Sequence, residues 1–166
     1  MSDAPLKIRI GTPDDVHDCM ELATLATAEN GFVAFNAVKV LSEIWPALNQ
    51  DFGIVGLIGP EGEKHQGAIL LRIQYPWYSD QLVLEERGIF IHPYFRSAKG
   101  GRAARLCEFS KRAATSLGLP LLIGVLSNHR TEAKNRLYRR VFGEPAGTFY
   151  LFNASTGGAV TGELTG

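Results

Sequence analysis

The stretch that most constrains the fold is residues 84–118, in which an apolar strand, a basic glycine-containing loop and an amphipathic helix follow one another. The strand spans residues 89–91 and is closed by Pro93. In the helix, apolar and small residues recur every three or four positions, which is typical of a helix with one buried face. These residues are Ala103, Leu106, Cys107, Ser110, Ala113, Ala114 and Leu117. Because a further apolar run follows at 121–126, the stretch predicts a parallel strand-helix-strand crossover in one sheet.

The loop between this strand and helix has the composition of an anion site. Backbone N–H groups in the first turn of a helix have no acceptor within the helix, and the helix dipole adds partial positive charge there. The two glycines would let an anion approach these groups, and three basic side chains add formal charge. The loop consists of Arg96, Ser97, Ala98, Lys99, Gly100, Gly101 and Arg102. It therefore predicts a phosphate or diphosphate ligand, with a simple turn flanked by solvated basic residues as the alternative.

The other elements alternate between strands and helices along the chain. Period-two patterns and apolar runs predict further strands, and a period near 3.6 predicts further helices. The order is strand 6–10, helices 13–30 and 36–48, antiparallel strands 52–58, 67–74 and 83–91, the helix of the central stretch, strand 121–126, helix 131–141 and strand 148–152. This order predicts an α/β fold whose central sheet is mixed but mostly antiparallel and is flanked by helices.

Length and charge exclude several classes of protein. The 166 residues suit one domain, which we expect to cover residues 1–154, followed by a flexible tail at 155–166. Lysine plus arginine and aspartate plus glutamate number 17 each, so no overall field attracts nucleic acid or an acidic membrane. Cys19 and Cys107 have no disulfide or metal spacing, and the beginning of the sequence lacks an apolar signal segment. We expect a cytoplasmic protein without a metal site.

The central stretch resembles the coenzyme A loop of the GNAT superfamily of N-acetyltransferases. In that family an apolar strand ends in a proline, and Arg/Gln-x-x-Gly-x-Gly/Ala then opens a helix. This chain matches at Pro93, Arg96, Gly101 and the Arg-Ala pair that follows, but Lys99 stands where the first motif glycine belongs. The order of elements also resembles the family over nearly the whole chain. The resemblance implies a GNAT-like single domain with acetyl-CoA as co-substrate.

Acetyl transfer to an amine poses two proton problems. An alkylammonium, with a pKa of about 10, cannot attack until it loses a proton, and a thiolate leaves more readily when it is protonated. The segment around Tyr138 resembles the family's Leu-Tyr-x-x-x-Gly-Phe, which implies that Tyr138 is the acid at the coenzyme sulfur. We expect the flanking arginines, Arg136, Arg139 and Arg140, to favour its phenolate.

The resemblance implies that the base is a carboxylate on the strand that leads into the loop, where two glutamates are neighbours; His92 and His129 are the other candidates. Strict alternation places Glu85 on the face of Ile89 and Ile91, and Glu86 on the face of Phe90. Only one of the two can face the cleft, unless a bulge intervenes near Gly88. Burial beside apolar residues would raise the pKa of a carboxyl group, as a base requires. We name Glu85 first, and two solvated carboxylates at a strand end are the alternative.

The resemblance also implies contacts to the pantetheine arm of the coenzyme. Family members bind its amides along an open strand edge, which here would be the backbone of Ile89, Phe90 and Ile91. An asparagine after the parallel strand often contributes as well, which suggests Asn128, although its spacing from the tyrosine is three residues too long. Lys134 lies one turn before Tyr138 and is expected to reach the coenzyme.

The leading functional hypothesis is an acetyl-CoA-dependent N-acetyltransferase that works by direct attack in a ternary complex. Its acceptor would be the amine of a small molecule or of a peptide or protein. A catalytically inactive acyl-CoA-binding or protein-interaction module on the same fold is the alternative. Nucleic-acid binding through the arginine-rich last helix is a weaker third hypothesis, and we expect neither a nucleic-acid nor a membrane partner. Family members often pair through their C-terminal strands, which implies a homodimer.

Overall fold

Five strands form one sheet in the computed structural model, which describes residues 4–96, 99–127 and 130–150. The strands lie in chain order, and each neighbouring pair is antiparallel except the last, which is parallel. They are β1 Leu6–Ile10, β2 Gly53–Pro60, β3 Gly67–Gln74, β4 Val83–Ile91 and β5 Leu121–Leu122. The helices are α1 Val16–Asn30, α2 Ala37–Leu48, α3 Arg102–Leu117 and α4 Thr131–Phe142, with 3₁₀ turns at Pro13–Asp15 and Pro93–Phe95. The expected mixed sheet with one parallel crossover is confirmed.

Helices cover both faces of the sheet, so the protein has two apolar cores. Helices α1 and α2 pack on one face, where the core consists of Cys19, Ile44, Ala47, Leu48, Val55 and Leu57. Helix α3 packs on the other, where the core consists of Ile58, Ile69, Leu71, Leu84, Leu106 and Ala114. Full burial of each large aliphatic side chain stabilises the fold by about 1.5–3 kcal/mol.

Strand β4 contains a bulge that reverses the expected assignment of its faces. Leu70 pairs with Gly88 and Leu71 pairs with Glu86, so Arg87 is an extra residue on β4. Because paired residues share a face, Glu86 lies on the α3 face with Leu71. The placement of Glu85 with Ile89 and Ile91 was therefore wrong: those residues pair with Ile69 and Gly67, and so share the α3 face with Glu86.

The parallel strand is shorter than expected. Only Leu84–Leu121 and Glu85–Leu122 are paired between β4 and β5. The expected strand over 121–126 is thus wrong beyond Leu122, and Leu126 is 58% exposed instead of buried. Since pairing stops immediately before the bulge, the two strands separate from that point and leave the β5-facing edge of β4 open at residues 86–91.

The expected last strand, 148–152, is wrong for its first three residues. Thr148, Phe149 and Tyr150 lie in no strand, and the two aromatic side chains are 80% and 94% exposed. The Phe149 ring lies close to Gly124, in the segment that follows β5, but that segment is not a strand because β5 ends at Leu122. The end of that strand and the expected tail lie outside the described residues. None of the described helices combines the length and apolar character needed to cross a membrane.

Candidate active site

A cavity of about 310 Å³ opens where β4 separates from β5. Its wall is formed by the end of α1, the second half of β4, the start of α3 and the inner face of α4. The lining residues are Glu29, Ile89, Phe90, Ile91, Phe95, Arg96, Gly101, Arg102, Ala103, Ala104, Arg130, Ala133, Lys134, Leu137, Tyr138 and Arg140. Five of these are cationic side chains and one is a carboxylate, so the cavity suits an anion although the chain is neutral overall.

The first turn of α3 forms one end of this cavity. Gly101 caps the helix in the left-handed conformation, with φ of 57°, where a glycine has no Cβ to strain. The first turn holds no acidic residue, and its residues Ala103 and Ala104 line the cavity. Their N–H groups have no helical acceptor and point toward the helix N-terminus, as an anion site requires.

Arg102 holds the preceding loop in place. Its buried guanidinium donates through Nε to Gln66 Oε1 at 2.7 Å and through Nη1 to the Lys99 carbonyl at 2.9 Å. Of the predicted loop residues, Arg96, Gly101 and Arg102 line the cavity, whereas the exposed Lys99 and Gly100 lie outside its wall. Ser97 and Ala98 lie outside the described residues. Arg102 therefore stabilises the turn, and these hydrogen bonds leave it fewer N–H donors for a ligand.

Arg96 spans the cavity from the end of β4. It donates through Nε to the Ile91 carbonyl at 3.0 Å, and its Nη2 lies 2.5 Å from Oε2 of Glu29, at the end of α1. The guanidinium also stacks over the Phe90 ring, 5.0 Å from its centroid. The predicted strand residues Ile89, Phe90 and Ile91 therefore line the cavity, and the Arg96 side chain lies against the same stretch of β4.

The two candidate bases face opposite sides of the sheet. Glu86 is not one of the lining residues, but it lies close enough to Lys134 and Tyr138 in the wall to influence their pKa values. Desolvation raises the pKa of its own carboxyl group to about 7, despite a 3.4 Å hydrogen bond from the Gly124 N–H and the positive charge of Lys134. Glu85 lies on the α2 face and forms a 3.2 Å ion pair with Arg87. The geometry thus favours Glu86, not Glu85, as the carboxyl group near the cavity.

Tyr138 lies in the cavity wall, with its ring packed edge-on against Phe142 at 5.5 Å. Burial raises the pKa of its hydroxyl well above the usual range, and the nearby Glu86 carboxylate adds to the shift. The expectation that the flanking arginines favour the phenolate was wrong: although Arg140 also lines the cavity, burial dominates and the pKa of the hydroxyl is raised. Arg139 is largely exposed and lies 3.6 Å from Glu144. Tyr138 is therefore a protonated donor at neutral pH.

Lys134 lies one turn before Tyr138 and also lines the cavity, as expected. Its Nζ donates to Ser127 Oγ at 3.1 Å. Desolvation lowers the pKa of its ammonium group, and the neighbouring Arg96 contributes in the same direction. Asn128 lies outside the described residues.

Sequence reasoning missed several residues of the wall. Ala133 and Leu137 share a helix face with Lys134 and Tyr138, so the helical period alone could have found them. Glu29 had no such signal, because it lies at the end of α1, far along the chain from the other lining residues. The missed residues are Glu29, Phe95, Ala103, Ala104, Arg130, Ala133, Leu137 and Arg140.

Comparisons with known proteins identify the fold. No protein-family model and no curated protein matches the sequence. Among solved structures, the aminoglycoside N-acetyltransferase AAC(6')-Iy in complex with a bisubstrate analogue has a TM-score of 0.68 at 17% identity, over 92% of this chain and 100% of that one. The chain has the GNAT acetyltransferase fold.

Two further structures agree with this assignment of the GNAT fold. An integron cassette protein from the mobile metagenome of Cole Harbour Salt Marsh has a TM-score of 0.67 at 22% identity, over 91% of both chains. The aminoglycoside 6'-N-acetyltransferase AAC(6')-Ih from Acinetobacter baumannii has a TM-score of 0.63 at 15% identity, over 92% of this chain and 99% of that one. At these identities the likeness concerns the fold alone.

Proposed function

We propose that this protein is an N-acetyltransferase that transfers an acetyl group from acetyl-CoA to an amine by direct attack in a ternary complex. The observation that carries the proposal is that one cavity brings together the open edge of β4, the first turn of α3 and the Tyr138 hydroxyl. These three features are about 10 to 50 residues apart in the sequence, and the separation of β4 from β5 brings them to one cavity.

The residues of the cavity fit the chemical groups of coenzyme A. The N-terminal turn of α3, with Arg96 beside it, suits the diphosphate. The β4 edge at Ile89, Phe90 and Ile91, which β5 leaves without a strand partner, suits the amides of the pantetheine arm, which would bind as an added strand does. The Ile91 carbonyl already accepts a hydrogen bond from Arg96 Nε, so the arm would bind along the remaining groups of this edge. Lys134 and Arg130 supply further positive charge along the α4 wall. The AAC(6')-Iy structures, one with CoA and one with a bisubstrate CoA analogue, support this assignment.

The two titratable groups near the cavity have complementary protonation states. Acetyl-CoA supplies the acetyl group as a thioester. Glu86, with a pKa of about 7, is partly ionised at neutral pH and would accept the proton that the acceptor ammonium loses, directly or through a water molecule. Tyr138 stays protonated and would donate its proton to the sulfur as the carbon–sulfur bond breaks. The proton taken by Glu86 returns to solvent, and the second proton that the nitrogen loses as the amide forms restores the Tyr138 hydroxyl, directly or through water.

The acceptor is proposed only as an amine. Relatives of the same fold include aminoglycoside acetyltransferases, one of them in complex with sisomicin, which supports a small-molecule acceptor. A peptide or protein amine stays an alternative acceptor, and a homodimer stays a prediction.

The proposal is tested by titrating the protein with acetyl-CoA in a calorimeter and then measuring thiol release over a panel of amines. We expect binding in the micromolar range and release of coenzyme A with at least one amine. Tyr138→Phe should lower kcat about 10²-fold, and it should leave the affinity for acetyl-CoA and the melting temperature nearly unchanged, because the ring contact with Phe142 is kept. Tyr94→Phe, at an exposed tyrosine outside the cavity wall, is the matched control.

Two outcomes would count against the proposal in different ways. Failure to bind acetyl-CoA at millimolar concentration would remove the coenzyme site altogether. Binding without turnover on any amine would favour the inactive coenzyme-binding module.

A further inference from the structure

The ion pair between Glu29 and Arg96 lies inside the cavity, not on the outer surface. Both side chains are mostly buried, with 20% and 16% of their area exposed, and their charged atoms are 2.5 Å apart. Glu29 is the only carboxylate among the described residues that line the cavity. The pair joins the end of α1 to the loop that follows β4, so it links two different walls.

Glu29 competes with any anionic ligand for the same guanidinium. Arg96 already donates through Nε to the Ile91 carbonyl, and this hydrogen bond holds the guanidinium in place while its Nη2 contacts Glu29. A diphosphate at the first turn of α3 carries more charge than one carboxylate and attracts the same nitrogens. When Arg96 turns to the diphosphate, Glu29 loses its direct ion-pair partner, and Lys134 is left as a cation near it without a direct contact.

An unpaired, mostly buried carboxylate is costly and gains strongly from a new cation. Glu29 lies near enough to Lys134 to raise the pKa of its ammonium group, but the two form no ion pair within 4.0 Å, and the Lys134 Nζ donates to Ser127 Oγ instead. A positively charged group can therefore pair directly with Glu29 only after the anion has bound to Arg96.

We propose that Glu29 is a binding site for an alkylammonium group of the acceptor, and that Arg96 blocks this site until it exchanges Glu29 for the diphosphate of the coenzyme. The inference rests on the proposed function and extends it in two respects. It assigns the acceptor a cationic group that Glu29 recognises, and it couples the two ligands, so that the coenzyme increases the affinity for the cation. By linkage, the cation increases the affinity for the coenzyme by the same factor.

The test measures the affinity for 1,4-diammoniobutane by calorimetry or NMR titration, with and without saturating coenzyme A, which carries no acetyl group and so allows no turnover. The uncharged analogue 1,4-butanediol is the ligand control. For the wild type we expect coenzyme A to tighten binding of the diammonium about 5- to 10-fold, a usual size for coupling between two sites. No tightening is expected for the diol.

Glu29→Gln should abolish this coupling, and Glu21→Gln is the matched control. Glu21 lies on the same helix and pairs with Lys64 at the same 2.5 Å, but both side chains are well exposed and outside the cavity wall. If the coupling came instead from direct attraction between the diphosphate and the diammonium, it would persist in Glu29→Gln, and coupling retained in this variant would therefore overturn the inference. Equal diammonium affinity with and without coenzyme A in the wild type would also overturn it.

A crystal structure of the wild type with coenzyme A gives a second test that needs no variant. We expect Arg96 on the diphosphate and its Nη2 more than 4 Å from Glu29 Oε2, whereas an intact 2.5 Å pair would contradict the exchange. If coenzyme A does not bind at all, the proposed function fails. If it binds and the pair stays closed, only this inference fails.

Discussion

Among single residues, Glu86 combines position and protonation in the way that a general base needs. It shares the α3 face of β4 with apolar residues, and desolvation raises the pKa of its carboxyl group to about 7. A base with a pKa near the working pH is present as the carboxylate yet still binds a proton well. Glu85, one position earlier, is ion-paired on the opposite face.

Glu86→Gln should lower kcat/KM for an amine acceptor about 10²-fold at pH 8. The pKa is raised, so the group is mostly neutral below about pH 7 and mostly ionised above it. Wild-type kcat/KM should therefore rise through a midpoint near 7 as the pH increases, and this limb should disappear in Glu86→Gln. A pH series of initial rates checks it.

Glu85→Gln is the matched control, since it makes the same change on the other face of the strand. We expect it to keep the limb near pH 7 and to stay within a few-fold of the wild-type rate. A limb that survives in Glu86→Gln but vanishes in Glu85→Gln would transfer the role to Glu85.

At the scale of the element, the bulge at Arg87 explains why the cavity exists. Bulges bend and twist the strand that carries them. Pairing between β4 and β5 ends at Glu85 and Leu122, just before the extra residue. We infer that the bend carries the rest of β4 away from β5 and so exposes the edge that lines the cavity.

Deletion of Arg87 should close this edge. The pairs Leu71–Glu86 and Leu70–Gly88 would then follow one another without a register shift, so the faces of all other residues are kept. We expect β4 to straighten and pair further with β5, which should weaken acetyl-CoA binding at least 10-fold. The free energy of unfolding should change by only about 1 kcal/mol, a size common for point changes. Calorimetry and urea denaturation measure the two quantities.

Arg87→Ala keeps the extra residue and separates the bulge from the side chain. It removes ion pairs to Glu85 and Glu43, which are partly exposed and contribute little. Its acetyl-CoA affinity should stay within about threefold of the wild type. Should the deletion bind acetyl-CoA as tightly as Arg87→Ala does, the bulge is not what opens the sheet.

At the scale of the whole molecule, the fold was accessible from the sequence and part of the site was not. Local signals suffice for the helices: Gly118 ends α3 with φ of 65°, and the buried positions of that helix follow its predicted period. The face occupied by Glu86 stayed open, because Gly88 suggested a possible bulge without establishing that one forms, and one extra residue reverses the alternation. Glu29 reaches the cavity only through the packing of α1 on the sheet, a long-range effect that no local pattern encodes.

The last prediction concerns the ionic cluster that joins three parts of the molecule at the edge away from the cavity. The Asp15 carboxylate accepts hydrogen bonds from both terminal nitrogens of Arg9 on β1, at 2.8 and 2.7 Å, and from the Thr12 N–H at 2.8 Å. Its Oδ1 lies 3.2 Å from Nε2 of His65, in the β2–β3 connection. These contacts, chiefly those with Arg9, hold the pKa of Asp15 far below its usual range.

Because this pKa is lowered, ionised Asp15 stabilises the fold above its ordinary pKa near 3.8, and the stabilisation is lost as the pH falls below that value. Asp15→Asn should reduce the free energy of unfolding at pH 7 by about 2 kcal/mol, the scale of a charged hydrogen bond, and the difference from wild type should shrink between pH 4 and pH 2. Asp14→Asn, at the exposed neighbour in the same 3₁₀ turn, should change it by no more than a few tenths of a kcal/mol. If the difference in the free energy of unfolding between wild type and Asp15→Asn stays constant down to pH 2, Asp15 stabilises the fold through packing and neutral hydrogen bonds and not through its charge.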